Sequence, residues 1–209
     1  MRQVIACVAI TVAGLMVSQI RVGGQEQPGT IRTDNPTLRA SLDRIARGSA
    51  LWRADLQTAR QTGRPVLVFT PDEVVVVDQN SDASAQAFDA GVLAEISVIP
   101  GNATAVEGVM VVVNLPLLDD AHNRRRSSAA ERAADLDRIL IHEIYGHALP
   151  YVVAGDLSGR CADPARGQPA SEACSIQREN AVRAELGLGR RKDYGLGSLA
   201  LARPQRQSR

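Results

Sequence analysis

The chain reads as an α+β domain: a small, mostly antiparallel sheet packed with helices, with a histidine-bearing helix followed by a glutamate-bearing one. Three observations predict this. Short Val- and Ile-rich runs, bounded by Pro, Gly and Asp, recur between residues 66 and 115 and have the length of strands. Apolar residues at helical spacing dominate on either side of them. The stretch His142-Glu143-Ile144-Tyr145-Gly146-His147 places two of the chain's 3 histidines late in a helix-like run.

Residues 1–24 are expected to form a secretory signal peptide, with Arg2 as its positive start, Val4 to Val17 as its apolar run and polar, Gly-containing sequence after it. An uncleaved anchor is the alternative reading of the same run. The leader points to a secreted or periplasmic protein with no stable membrane association once it is removed. About 185 residues then remain, enough for one domain with a real core. The formal net charge of +1 carries no basic footprint for nucleic acid. Two cysteines, Cys161 and Cys174, would remain in the mature chain, and an oxidising compartment favours a disulfide between them.

Residues 25–36 are polar, with Pro28, Gly29 and Pro36, and read as a leader or linker ahead of a domain over 37–196. Leu38, Leu42 and Ile45 then share one helical face, and Gly48-Ser49 breaks it from a second helix at about 50–60. Trp52 reads as core. Strands are expected at Val66–Phe69, Val74–Val77, Val92–Ile99 and Val109–Leu115, the last being the most strand-like stretch in the chain. Their short connections suggest antiparallel pairing. Leu117 to Ser127, with Arg124-Arg125-Arg126, reads as a polar connection that exposes His122. The next helix opens with the capping-box pattern Ser128-Ala129-Ala130-Glu131 and should end at Pro150. A Gly-, Pro- and Asp-rich connection leads to a last helix at about 171–186, and residues 197–209 read as a disordered tail.

The histidine pair is where chemistry is expected. Leu136, Leu140, Glu143 and His147 follow one another at helical intervals, as do Ile139, His142 and Gly146, which puts the imidazoles toward the apolar side. Buried imidazoles beside a carboxylate form an arrangement that zinc stabilises and apolar packing does not. The common zinc spacing, H-E-x-x-H, stacks its histidines one turn apart. Here the second comes one residue later, and residues i and i+5 of a regular helix diverge by roughly 140°. Both can reach one metal only if the helix absorbs the extra residue as a π-bulge or a loosened turn. Gly146 sits where such a distortion is cheapest.

The pattern H-E-x-x-G-H resembles the motif of the dipeptidyl-peptidase III family of zinc peptidases. Downstream, Glu172-Ala173-Cys174-Ser175, Glu179-Asn180-Ala181-Val182-Arg183 and Arg191-Lys192-Asp193-Tyr194 resemble a second group. These are the secreted zinc metallopeptidases used as bacterial effectors and polymorphic-toxin domains, with an H-E helix, a helix of pattern E-x-x-A-x-x-x-E-N-x-x-R and a closing R-x-x-Y. The chain departs from them in its extra histidine-spacing residue and in Ser175, where alanine is usual. The resemblance implies a zincin-like fold, a bound Zn2+ and a peptide or protein substrate. By the same analogy, the strand at 109–115 would lie along the cleft, where a substrate adds to its edge.

A catalytic zinc takes three protein ligands and leaves one position open. His142 and His147 supply two. Glu172 is the preferred third, because the small Ser175 at +3 would let its helix press closely on the histidine helix, and Glu179 is the alternative. If Glu172 is the ligand, Glu179 and Asn180 are expected to hold the histidines from behind and Arg183 to pair with one of these acids. Glu143 is expected as general base, and the family pattern implies Tyr194 as a donor to the oxyanion. The expected function is therefore zinc-dependent hydrolysis of peptide bonds. Two alternatives stay open: a zinc-stabilised, catalytically inactive binding protein, and a metal-dependent amide hydrolase acting on a non-peptide substrate.

Overall fold

The computed structural model describes residues 30–73, 93–99, 107–157 and 170–191. The leader, the expected strand at 74–77, Cys161, Tyr194 and the tail lie outside the described residues. Within them the protein is a mixed α/β structure. Its four-stranded sheet has the order β1-β2-β4-β3, with β1 at Ile31–Arg32, β2 at Val66–Phe69, β3 at Ala94–Ile99 and β4 at Gly108–Val113.

The sheet corrects the expectation of mostly antiparallel pairing. β1 and β2 are parallel, β2 and β4 are parallel, and only β3 runs antiparallel to β4, with Ala94 opposite Val113. The physical reason lies in the stretch read as a linker. Ile31 pairs with Val66, and the chain between them carries α1 (Pro36–Gly48) and α2 (Ala50–Arg60), which supply the long crossover that parallel strands require. A second correction concerns β4, which ends at Val113 rather than Leu115 and is paired on both sides. No substrate can add to its edge; among the described residues the edge strands are β1 and β3. Burial on both sides also explains why β4 reads so strongly as a strand: Val109, Val111 and Val113 are fully buried and Val112 nearly so.

The helices follow their local chemistry. Asn35 caps α1 by accepting from the Thr37 and Leu38 N–H groups, with Pro36 just inside the helix. Ser49 caps α2 by accepting from Trp52 N–H. Trp52 is buried, as expected, and stacks near Tyr145 with ring centroids 6.1 Å apart. The expected capping box is present: Ser128 Oγ accepts from Glu131 N–H at 3.2 Å, and Glu131 Oε2 accepts from Ser128 N–H at 2.7 Å.

The stretch read as a polar loop is instead a helix, α3 (Leu115–Arg125), capped by Asn114. It buries Leu118 and, one turn on, His122, which was expected to be exposed. With so few inward positions the segment shows almost no apolar periodicity, although an Asn cap followed by Pro116 is a helix-start signal.

Candidate metal centre

α4 (Ala129–Leu140) does not stop at the histidines. It passes into a π-helical segment, Ile141–Ala148, and then into α5 (Leu149–Ala154), which ends at Gly155 in the left-handed conformation with φ 72°. The π segment is the distortion that the five-residue histidine interval demanded. Leu149 N–H reaches back five residues to the Ile144 carbonyl, the wider π repeat. This brings the His142 and His147 rings edge-to-face, 4.9 Å apart between centroids.

Pro150 was expected to end the helix, and it does not. A proline inside a helix leaves carbonyls of the preceding turn without an N–H donor. Here α6 (Ala170–Glu185) supplies donors to that turn: Ser175 Oγ–H donates to the Gly146 carbonyl at 3.1 Å and Arg178 Nε–H to the Tyr145 carbonyl at 3.0 Å. Arg178 also lies over the Tyr145 ring, 4.9 Å from its centroid. The two carbonyls ahead of Pro150 thus serve as acceptors onto which the glutamate helix docks.

Gly146 serves that docking. A Cβ built there would lie 3.0 Å from Ser175 Cβ and 3.4 Å from Ser175 Cα, so its small size allows the two helices to approach. This agrees with the expectation for the small residue three after Glu172. It adds to the expectation that Gly146 sits where the distortion is cheapest, since Gly146 lies within the π segment.

The approach sets both imidazoles. His142 Nδ1 faces Glu179 Oε2 at 3.0 Å. His147 Nδ1 faces the Leu157 carbonyl at 2.9 Å and Ser175 Oγ at 3.0 Å, and that hydroxyl has already given its proton to Gly146. With acceptors against each Nδ1, both Nδ1 atoms carry a proton, which leaves Nε2 as the nitrogen of each ring that could bind a metal ion. They converge on one atom. Glu172 Oε2 lies 3.6 Å from His142 Nε2 and 3.7 Å from His147 Nε2, and this buried oxygen has no hydrogen-bond partner. Donor atoms of His142, His147 and Glu172 all fall within 4.8 Å of one another, and all three side chains are buried. Neighbouring ligand atoms around a tetrahedral zinc stand about 3.3 Å apart. The cluster can therefore hold a metal ion.

Glu179, the alternative third ligand, lies on the Nδ1 side of His142 instead. It is fully buried behind His142, where Arg183 donates to Oε1 and Arg191 Nη1 to Oε2 at 3.1 Å. It holds His142 from behind and is not one of the three groups that could hold a metal ion, and Arg183 pairs with it as expected. Burial pushes the Glu172 and Glu179 carboxyls up. The neighbouring histidines, joined at Glu179 by the arginine charges, outweigh this and hold both at about 2. Asn180 holds Arg191, not a histidine. Glu143 is half-buried beside this cluster, and its charge acts on His142.

Compared with family models, curated proteins and solved structures, the chain finds no match.

Sequence reasoning missed Arg191, Arg178 and the Leu157 carbonyl as parts of the site. Arg191 stood only as one letter of the closing R-x-x-Y pattern. The other two needed the helix docking to be known. Cys174 is buried on α6 among these residues; its expected pairing with Cys161 falls partly outside the described residues.

Proposed function

We propose that the protein is a zinc-dependent metallopeptidase. The observation that supports this most directly is the convergence of two Nδ1-anchored imidazoles on a buried Glu172 oxygen that has no hydrogen-bond partner. Two nitrogens and one carboxylate oxygen, all buried, form a donor set suited to zinc. When bound there, zinc would lower the pKa of a coordinated water to about 7 and polarise a substrate carbonyl.

The chain's own residues do the rest. His142 and His147 keep their ring planes through Glu179, Leu157 and Ser175. Glu143 directly follows a ligand and is half-buried rather than sealed, the position of a group that takes a proton from the attacking water and passes it to the leaving amine. Tyr194 belongs to the proposal as an oxyanion donor on the family resemblance alone. The resemblance likewise motivates the zincin-like fold, the secreted location and a peptide or protein substrate.

The test is metal content and peptide hydrolysis by the purified chain, wild type and Glu143→Gln. One zinc per chain in both, with turnover lowered about 10²–10⁴-fold in the variant, is the expected result. Wild-type turnover in the variant would remove Glu143 as general base. The near-complete burial of all three ligands also favours a second reading, a closed structural zinc site in a binding protein. A zinc-loaded wild-type chain that hydrolyses no peptide would select it.

A further inference from the structure

We infer that Arg191 is a positioning residue of the metal centre: the chain leaving α6 folds back to plant this guanidinium on the carboxylate that orients His142. The inference rests on the metal-binding reading above.

The return is built step by step. Gly187, with φ 67°, ends α6 in the left-handed conformation. Its N–H reaches the Ala184 carbonyl at 3.3 Å, and Leu188 N–H reaches the Arg183 carbonyl at 2.8 Å, the paired bonds of a Schellman turn. Asn180 then grips the main chain of Arg191 at both of its polar groups. Its Nδ2–H donates to the Arg191 carbonyl at 2.8 Å, and its Oδ1 accepts Arg191 N–H at 2.7 Å. One amide side chain thus fixes where the Arg191 side chain starts. That side chain runs inward, is buried, and donates from Nη1 to Glu179 Oε2 at 3.1 Å.

The same oxygen accepts His142 Nδ1–H at 3.0 Å, while Oε1 accepts from Arg183. Arg183 comes from Glu179's own helix, one turn on, and engages only one oxygen. A carboxylate held at one oxygen can swing; held at both, by cations from two directions, it keeps one plane. Arg191 is the anchor on the oxygen that faces the ligand. Loss of the Arg191 contact frees the plane of the carboxylate, and with it the orientation of His142.

The experiment is a zinc affinity measured by chelator competition on the full chain, in wild type, Arg191→Met, Arg191→Lys and Asn180→Ala. Loss of an outer-shell partner typically weakens metal binding about 10–100-fold, and that is expected for Arg191→Met. Asn180→Ala should fall in the same direction by about 10-fold. Arg191→Lys should recover part of the loss, which a purely structural role for this segment would not produce. The visible spectrum of the cobalt-substituted Arg191→Met chain should also shift. Wild-type affinity in Arg191→Met overturns the inference, and if that variant does not fold, wild-type affinity in Asn180→Ala does so. A wild-type chain that takes up no zinc instead removes the metal reading itself, and the inference with it.

Discussion

The protein buries histidines beside carboxylates in two places, and the two are built differently. His122 on α3 is almost wholly inaccessible. Its Nε2 lies 3.6 Å from Asp135 Oδ2, and neither ring nitrogen has a hydrogen-bond partner. Asp135 is itself engaged by Arg138 from the same helix. At His142 and His147, by contrast, each Nδ1 has a fixed acceptor and each Nε2 is turned on one shared oxygen. The distance from imidazole to carboxylate is nearly the same in the two places. Proximity of a histidine and an acid therefore does not make a metal centre. What sets the His142–His147 cluster apart as one that could hold a metal ion is the group behind each ring, which decides the nitrogen that faces the shared oxygen.

The largest expected effect removes the charge of the shared carboxylate. Glu172→Gln should weaken zinc binding more than 100-fold, beyond the roughly 10–100-fold typical of an outer partner; chelator competition measures it. A loss of less than 10-fold would mean that the two imidazoles hold the ion without Glu172.

A smaller effect is expected from pH in chelator-treated, metal-free protein. Burial pushes His142 down, but the carboxylates of Glu172 and Glu179 beside it and the charge of Glu143 outweigh this and hold the ring at about 9. The proton then stands where the metal would. A raised histidine stabilises the fold fully below its ordinary value of 6.5 and loses that contribution as pH rises through about 9. The glutamates, held down at about 2, contribute fully above 4.5 and lose it as pH falls toward 2. Urea midpoints of the metal-free chain should therefore decline between pH 6.5 and 9. A midpoint that rises over that range would show that His142 is neutral in the metal-free protein.

The smallest effect tests the other histidine. In His122→Leu, zinc affinity should stay within about 2-fold and stability within about 1 kcal/mol, because Asp135 keeps Arg138 and the lost nitrogens had no partners. A large loss of zinc affinity would mean that the two histidine sites are coupled through α4.

Much of the site was legible in the sequence because it depends on spacing along single helices. The interval between His142 and His147 demanded a π distortion, and Ser175 at +3 from Glu172 pointed to close helix packing; both are seen. Ser128 and Glu131 announced the start of the helix. What was not legible depends on partners distant in the chain. The parallel sheet required a mate for Val66, and that mate was two residues of an apparently polar linker. Helix α3 hides because only Leu118 and His122 point inward. Pro150 misled because the donors to the turn before it come from α6, some 25 residues on. The roles of Glu172 and Glu179 could be ranked from sequence, but only the docked helices show which oxygen meets Nε2 and which meets Nδ1.

The π segment also acts as a phase shift in the helix. An extra residue advances everything downstream by about 100° relative to everything upstream. Leu149 and Val152 are buried in that shifted phase, while Leu136, Ile139 and Leu140 are buried in the original one. Deleting one residue between the histidines would restore the common H-E-x-x-H spacing and could still present two imidazoles to an ion. It would also turn α5 back by that angle and rotate Val152 away from the core. The longer motif is thus not an ordinary zinc motif with a flaw to be trimmed, because the core beyond it is written in a register that exists only if the extra residue is there.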